Sequence, residues 1–324
     1  MVLFGSMNHR PPSSVGIWVA IISVYLVWGS TYLAIRFAVQ TIPPFLMAGV
    51  RFLISGSVLY LIRRAWGDPK PTGQEWRSAS IAGIFLLVGG NGGVVWAEQW
   101  VVSGVTALLV ATTPLWMISI DTLHPHGRKS GPWVMVGVIL GFAGISILIH
   151  PFQSMRQGDI HLIGALVLIL ASLFWSVGSL YSRQAKLPSS PLLGTGMEML
   201  AGGGGLLLLG ILSGELSQLS WGSISQESWL GLIYLIVFGS WIGFTAYTWL
   251  LRSAPTPLVS THAYVNPIVA VFLGYFIAEE PLTFRILVAM VLVVGSVALI
   301  TITQQKPHRS KGTPLKSTGE GEMD

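Results

Sequence analysis

The chain alternates long apolar stretches with short polar segments over most of its length. Ten of the apolar stretches are close to the roughly 20 residues that an α-helix needs to cross about 30 Å of hydrocarbon. We therefore predict an all-α integral membrane protein with ten transmembrane helices. The predicted spans cover residues 17–37, 44–62, 78–97, 102–120, 133–149, 160–181, 192–212, 229–249, 257–277 and 284–302.

The Lys and Arg residues concentrate in every second polar segment. If the N-terminal tail is cytoplasmic, fourteen of them lie on the cytoplasmic side, while only Arg36, Arg156 and Arg285 lie on the other side. The remaining one, Arg51, lies inside a span. Because basic residues accumulate in cytoplasmic loops, this distribution predicts that both termini are cytoplasmic and that the number of spans is even.

The two halves of the chain carry the same landmark residues in the same order. A shift of 147 residues, which becomes 153 in later parts, superimposes Trp28 and Trp175, Arg36 and Arg183, Pro44 and Pro191, Trp76 and Trp229, and Pro114 and Pro267. Since each half holds five predicted spans, the second copy would enter the membrane from the opposite side, as in many transporters. We predict two inverted-topology repeats, over 17–150 and 160–302, between a cytoplasmic tail (1–16) and a disordered cytoplasmic tail (303–324).

The composition agrees with a membrane protein and argues against several other classes. Hydrophobic residues make up 52% of the chain and charged residues only 10%, whereas soluble domains carry about 25% charged residues. Basic loops account for the net charge of +5, and no basic groove with interleaved aromatic residues predicts nucleic-acid binding. The chain has no cysteine, nucleotide-binding motif or HExxH motif, so we predict no cofactor, no metal and no enzymatic activity.

Two charged residues inside predicted spans are candidates for coupling or gating, because charges in hydrocarbon are costly and usually functional. Arg51 follows Pro44 by seven residues, and Glu198 follows Pro191 by seven. Their equivalent positions predict a polar pathway or a structural ion pair, although each could instead reach an interface separately. Glu198 is the candidate for a titrating group, which makes protons a hypothetical coupling ion.

Three further carboxylates lie at the ends of predicted spans. Glu98 sits between Trp96 and Trp100. Because Trp collects at membrane interfaces, the pattern is typical of a solvated carboxylate, and we keep Glu98 as a weaker candidate for coupling or gating. Glu279 and Glu280 directly precede the last span, where the helix dipole favours negative charge. We expect these two residues to cap that span.

Aromatic and polar side chains deep in the spans predict a cavity that binds a solute. Trp28 lies about eleven residues into its span, which is too deep for the interfacial belt. Aromatic walls suit amphipathic or cationic solutes, although ordinary packing between helices is the alternative. The candidates for substrate binding are Trp28, Ser30, Tyr32, Asn91, Trp175, Ser179, Tyr264 and Asn266.

Pro114 and Pro267 occupy equivalent positions in the fourth and ninth predicted spans. Proline removes a backbone hydrogen bond and bends a helix. Interrupted helices at matching places of two repeats indicate the binding site of a transporter. We therefore expect both residues to kink their helices and to shape the cavity, with a purely geometric kink as the alternative.

Several sequence strings resemble a known family. The string Trp-Gly-Ser-Thr-Tyr at 28–32, followed by residues 43–52, resembles the EamA family of the drug/metabolite transporter superfamily. The string Ala-Tyr-Val-Asn-Pro at 263–267, with residues 279–283, is similar to the second repeat of that family. The resemblance covers about residues 17–302. It implies export of small metabolites or drugs across a bacterial cytoplasmic membrane, and it leaves the substrate open.

Together these patterns predict a secondary transporter, with export as the favoured direction, that works by alternating access. Its partners would be a small-molecule solute, the lipid bilayer and, as a hypothesis, protons. A channel or a structural scaffold is the main alternative. A membrane-embedded enzyme is a weaker alternative, because no catalytic groups converge in the sequence.

Overall fold

A computed structural model describes residues 14–123, 131–149, 161–254, 256–259 and 261–305. The regular elements in these ranges are all helical, and none of the described residues forms a β-strand. The predicted tails lie almost entirely outside the described ranges. The fold class therefore agrees with the sequence in being all-α.

The helices of the first half begin and end close to the predicted spans. They are α1 (Ser14–Ala38), α2 (Pro44–Ala65), α3 (Gly73–Gly83), α4 (Gly92–Ala97), α5 (Ser103–Val110), α6 (Thr113–Leu123) and α7 (Pro132–Ile149). A π-helical segment, Ile84–Asn91, joins α3 to α4 in one continuous helix. The start of α3 is fixed by a capping box, in which the Thr72 hydroxyl accepts from Glu75 N and the Glu75 carboxylate accepts from Thr72 N.

The described part of the second half is also helical. Its helices are α8 (Leu162–Gln184), α9 (Pro191–Leu212), α10 (Glu215–Gln218), α11 (Gln226–Tyr234), α12 (Thr245–Ser253), α13 (Thr256–Val259), α14 (His262–Ala278) and α15 (Phe284–Gln305). A second π-helical segment, Leu235–Phe244, joins α11 to α12. The shift of 153 residues found in the sequence places the first π segment on the second.

Six helices within the described ranges are long and apolar enough to cross a membrane. They are Ser14–Ala38, Pro44–Ala65, Gly73–Ala97, Leu162–Gln184, Pro191–Leu212 and Gln226–Tyr247. Shorter apolar helices lie at Ser103–Met117, Pro132–Leu148, Val265–Ala278 and Phe284–Ile300. The chain is therefore a multi-pass membrane protein.

Helices of the first half pack against helices of the second half. α2 packs along α9, and α7 packs along α15. Glycines allow α2 and α9 to approach closely: a Cβ atom at Gly49 would lie 2.8 Å from Leu207 N, and one at Gly203 would lie 2.9 Å from Leu53 N. These two helix pairs join the halves of the molecule.

A carboxylate from the second half caps a helix of the first. Glu215 accepts hydrogen bonds from Phe45 N at 3.2 Å and from Leu46 N at 2.9 Å, in the first turn of α2. Negative charge is favourable at a helix N-terminus. Glu215 is buried, so this contact fixes the start of α2 against the loop that follows α9.

Glu280 caps a helix, as predicted, but it caps α5 and not the last span. Its carboxylate accepts from Ser103 N at 2.8 Å, Ser103 Oγ at 3.0 Å and Gly104 N at 3.2 Å, at the start of α5. The cap of α15 is the Thr283 hydroxyl, which accepts a backbone hydrogen bond from the first turn. Glu279 ends α14 in the left-handed region with a φ of 51°. The expectation that Glu279 and Glu280 cap the last span is therefore wrong, because the chain turns Glu280 back toward the first half.

Candidate functional site

A central cavity of about 150 Å³ lies between the two halves. A single water needs roughly 10–15 Å³ of such space, so the cavity has room for a small solute. Of the residues predicted for the site, the lining includes Trp28, Tyr32, Arg51, Asn91, Pro114, Trp175, Asn266 and Pro267. Both halves therefore contribute to one site.

Rings packed around Trp28 form an aromatic wall of the cavity. The ring centre of Trp28 lies 6.3 Å from that of Trp175 and 5.4 Å from that of Phe244, both edge-on. Tyr247 lies 4.8 Å from Trp28, and Trp28 Nε1 donates to the Gly239 carbonyl at 3.3 Å. All four rings line the cavity. Phe244 and Tyr247 were not among the predicted site residues.

The second π segment explains why the helical pattern did not reveal Phe244. A π turn holds more residues than an α turn, so side chains after it leave the faces that a period of 3.6 assigns. Gly243 allows the close approach of this segment to α1, because a Cβ atom there would lie 2.4 Å from Trp28 Nε1. The first π segment contributes Asn91 to the lining in the same way.

Arg51 is a cation in the cavity wall. Arg51 is only 2% exposed, and its Nε donates to Ser240 Oγ at 3.0 Å. The guanidinium lies 4.6 Å from the ring centre of Phe52. Its Nη1 has no hydrogen-bond partner among the described residues. The positive charge is therefore only partly compensated.

Glu198 does not form the predicted alternative of an ion pair with Arg51 in the described part of the chain. Glu198 lies beside Ser182 and against α3, where a Cβ atom at Gly83 would lie 2.4 Å from the Glu198 carbonyl oxygen. It does not belong to the cavity lining. Equivalent positions in the two halves thus place Arg51 inside the cavity and Glu198 outside it.

The side-chain amides of Asn91 and Asn266 differ in whether their polar atoms have hydrogen-bond partners. Asn91 Oδ1 is buried and has no partner in the described structure. The Asn266 amide nitrogen faces the carbonyls of Tyr25 at 3.3 Å and His262 at 3.2 Å. Tyr264 belongs to α14, but its side chain lies outside the described part. Asn91 is therefore the amide with spare capacity to accept a hydrogen bond.

Two predicted residues lie away from the cavity lining. Ser30 Oγ donates to Leu26 O at 2.7 Å and lies 2.6 Å from the Tyr234 hydroxyl, so it joins α1 to α11. Two residues from Trp28, it is turned by about 200° around the helix. Ser179 also lies outside the lining. Proximity in sequence to an aromatic residue did not place either serine in the cavity.

Pro114 and Pro267 lie at different places along their helices. Pro114 lies in the first turn of α6, directly after the break that separates α5 from α6. Pro267 lies inside α14, which continues through it. Both residues line the cavity.

The described histidines form hydrogen bonds and ring contacts. His262 lines the cavity, with Nδ1 at 2.8 Å from Val259 O and its ring 5.5 Å from that of Trp28. His161 Nδ1 accepts from Gly164 N at the start of α8. Within the described ranges, no three His, Asp or Glu side chains come together in a metal-binding group. The cavity offers charge, hydrogen bonds and aromatic surface.

A charged cluster lies one helical turn beyond the cavity lining, where Glu98 and Glu280 are buried, and we call this side the covered end. Arg36 Nε lies 3.5 Å from Glu280 Oε1, and Arg36 Nη1 donates to Glu98 O at 3.1 Å and Val101 O at 3.3 Å. Tyr32, in the cavity lining, lies one turn before Arg36 on α1. Backbone carbonyls and a carboxylate therefore hold Arg36 in place.

Glu98 lies in this cluster, one residue beyond the span that ends at Ala97. It is 1% exposed, and neither carboxylate oxygen has a hydrogen-bond partner among the described residues. Burial, with a smaller contribution from the charge of Glu280, raises the pKa of Glu98 well above its ordinary value. The expectation of a solvated Glu98 is wrong, because segments remote in sequence cover it.

The cavity reaches the surface at the opposite end, which we call the open end. Arg183 lines the cavity and is exposed, in the last turn of α8. α8 starts beside the covered end, where His161 stacks on Trp100 with ring centres 5.2 Å apart. At 1.5 Å per residue, Arg183 lies roughly 30 Å further along the helix. The cavity lining thus includes both Tyr32, one turn from the charged cluster, and the exposed Arg183.

Comparison with known proteins places the chain among transporters. The profile of the EamA-like transporter family matches residues 14–150 and, separately, 162–302. The chain is 36% identical over 285 residues to the "Uncharacterized inner membrane transporter YedA" of Escherichia coli (strain K12), covering 87% of this chain and 90% of that protein. It is 24% identical over 293 residues to the "Uncharacterized transporter YoaV" of Bacillus subtilis (strain 168), covering 89% and 98%.

A solved crystal structure shares the fold. It superimposes with a TM-score of 0.63 at 20% sequence identity, and the match covers 91% of this chain and 100% of that chain. At this identity the similarity concerns the fold alone. The family matches and the bacterial inner-membrane relative carry the assignment further. The chain belongs to the EamA-like transporter family and is a multi-pass inner-membrane transporter.

Proposed function

We propose that this protein is a secondary transporter that exports a small solute by alternating access between two inverted repeats. The central cavity carries the proposal, because both halves line it, a charged cluster lies beyond one end and the exposed Arg183 lines the other. Alternating access requires a site between two related halves that opens to one side at a time. A structural scaffold would not need such a cavity.

Ten spans in two repeats of five would account for this arrangement. The shorter apolar helices would complete the six long ones. Two separate matches to one family profile and the pairing of α2 with α9 and α7 with α15 support a duplication. The basic residues favour cytoplasmic termini, which makes the open end cytoplasmic. An exporter must load its solute from that side.

Protons are the coupling ion that we propose, with the buried carboxylates Glu98 and Glu198 as candidate sites. Neither lines the cavity, so protonation would act through helix packing. Glu98 belongs to the charged cluster at the covered end, so its protonation would depend on whether that end is open. The test is transport into proteoliposomes under an imposed pH gradient with Glu98→Gln and Glu198→Gln variants. If transport by a variant keeps its full dependence on the pH gradient, the substituted carboxylate is not a site of proton coupling.

The central experiment is a profile of extracellular metabolites. Cells would overproduce the wild type, Arg51→Ala or Arg77→Ala, or would carry an empty vector, with membrane insertion verified for each protein. Arg77 is exposed and serves as the matched control. A compound enriched outside cells with the wild type and Arg77→Ala, but not with Arg51→Ala, would support export through the cavity.

Counterflow in proteoliposomes then separates a transporter from a channel. A transporter predicts saturable uptake of the enriched compound that is stimulated by the same compound on the other side. A channel predicts flux that neither saturates nor responds to solute on the far side. Depletion of a compound from the medium, in place of enrichment, would contradict export while keeping transport.

A further inference from the structure

The cavity carries positive charge without a matching negative charge in its lining. Arg51 and Arg183 line it, and no Asp or Glu belongs to the lining in the described part of the chain. A guanidinium stays protonated in proteins, so this charge is permanent. The exposed Arg183 marks the open end, where a cation would attract an incoming anion.

Arg51 is the group whose charge most needs a partner. It is almost fully buried, and its one side-chain hydrogen-bond acceptor among the described residues is the neutral Ser240 hydroxyl. An unpaired charge in a low-dielectric interior is costly. The two carboxylates that the sequence offered as candidates do not compensate this charge. Glu98 lies in the charged cluster at the covered end, and Glu198 lies against α3. A carboxylate brought by the solute would compensate Arg51, because the planar guanidinium matches carboxylate geometry.

The aromatic wall of the cavity indicates what the remainder of the solute is like. Trp28, Trp175, Phe244 and Tyr247 present aromatic surface beside Arg51 in the same cavity. Such rings favour planar apolar groups through stacking and edge contacts. Aromatic rings also favour cations, and the sequence predicted amphipathic or cationic solutes, but Arg51 and Arg183 would repel a cation.

We infer that the substrate is an organic carboxylate with an aromatic or other planar apolar body, held by Arg51 at its carboxylate and by the Trp28 wall at its body. This inference rests on the proposed function, because it names the solute of the same cavity. The free Asn91 Oδ1 offers an acceptor to a hydroxyl or amide N–H on that body.

The test is equilibrium binding to the purified full chain in detergent with three probes that share one body. The probes are tritiated 3-phenylpropionate, 3-phenylpropanol and 3-phenylpropylamine, which carry an anionic, a neutral and a cationic head. We expect the wild type to bind the carboxylate about tenfold or more tightly than either of the others, as one charge-assisted contact would provide. This comparison needs no variant and cannot be confused with misfolding.

Variants then assign the preference to Arg51. Arg51→Gln should lose about tenfold in affinity for 3-phenylpropionate and keep its affinity for 3-phenylpropanol, while Arg51→Lys should retain part of the preference. Arg77→Gln should bind as the wild type does. Preference for the amine, equal binding of all three probes, or binding of none would overturn the inference. Export in the metabolite profile would still stand in those cases, so the two failures are distinguishable.

Discussion

The covered and open ends of the cavity contain equivalent arginines in different surroundings. Arg36 and Arg183 are related by the shift of 147 residues in the sequence. Arg36 pairs with Glu280 and donates to two backbone carbonyls, whereas Arg183 is exposed and lines the cavity. Arginines at matching positions of the sequence therefore lie in a paired, partly buried site at one end and in an exposed part of the cavity lining at the other.

The difference arises from residues that the two halves do not share. The shift of 153 residues places Glu98 on Leu251, so the buried carboxylate of the covered end has no counterpart. Under the proposed alternating access, we expect carboxylates that the halves do not share to favour closure of the covered end. We expect the covered end to be the more strongly closed one, and the predictions below test that difference.

The largest effect is expected at Glu280. Glu280→Gln removes the charge that pairs with Arg36 and places an amide group against the N–H groups of Ser103 and Gly104. Glu280 is buried but Arg36 is 30% exposed, so we expect the loss of this charge to cost about 3 kcal/mol, below the upper range for a fully buried pair. We expect a lower midpoint of thermal unfolding, measured by tryptophan fluorescence in detergent.

The neighbouring Glu279 provides the control for this change. It is exposed, and Glu279→Gln should change the free energy of unfolding by less than about 0.5 kcal/mol. Equal destabilisation by the two substitutions would show that Glu280 does not hold the covered end through its contacts with Arg36 and α5.

The two equivalent arginines should respond differently to the same substitution. Arg36→Gln should lower the free energy of unfolding by about 2 kcal/mol, because it leaves buried acceptors and Glu280 unpaired. Arg183→Gln, at an exposed position, should cost less than about 0.5 kcal/mol. Chemical denaturation of the two purified variants measures both values, and similar losses would contradict the asymmetry.

Accessibility gives a direct measure of which end is open. The chain has no cysteine, so single thiols can be introduced at Ala107 and Ala263, which both line the cavity. Ala107 lies one turn from Ser103 at the covered end, and Ala263 lies in the first turn of α14. A membrane-impermeant thiol reagent is applied from the open end. Ala263→Cys should then react about tenfold faster than Ala107→Cys, which corresponds to a difference of roughly 1.4 kcal/mol in activation free energy.

The Glu280→Gln background sharpens this experiment. Opening of the covered end should raise the reactivity of Ala107→Cys toward reagent applied from that side. An unchanged rate would mean that Glu280 supports α5 without controlling access. A faster reaction of Ala107→Cys than of Ala263→Cys in the otherwise unmodified chain would reverse the assignment of the two ends.

Helix boundaries were predictable where the sequence carries local signals. α2 and α9 begin at Pro44 and Pro191, within one residue of the predicted spans, because proline fits the first turn of a helix and not its interior. Trp28 and Tyr32 both line the cavity, since residues four apart share a helix face. Apolar length and helical period are encoded locally.

The remaining features depend on partners that lie far away in sequence. The hydroxyl of Ser30 meets Tyr234, 204 residues later, and Glu280 caps a helix that starts 177 residues earlier. The burial of Glu98 follows from the same long-range contacts. A period of 3.6 cannot reveal such pairings, and it fails at Phe244 because the helix there is a π-helix.

The smallest predicted effect concerns Asp68, in the loop after α2. Its carboxylate accepts from Arg63 Nε at 2.8 Å and from Nη2 at 2.7 Å, near Ser190, the N-cap of α9. The hydrogen bond from Arg63, with a further contribution from Ser190, lowers the pKa of Asp68 below its ordinary value of 3.8. Asp68→Asn should cost about 0.5–1 kcal/mol at pH 7, as expected for a surface pair.

The pH dependence identifies the charge as the cause. A carboxylate with a lowered pKa in the folded state stabilises the fold above its unfolded pKa and loses that contribution as pH falls through the folded value. The difference between wild type and Asp68→Asn should therefore shrink below about pH 4. A double-mutant cycle with Arg63→Gln isolates the pair, and its coupling should vanish over the same interval. A difference that keeps its full pH 7 size at pH 3 would assign Asp68 to the shape of the loop, because only a charged carboxylate gives this interaction its pH dependence.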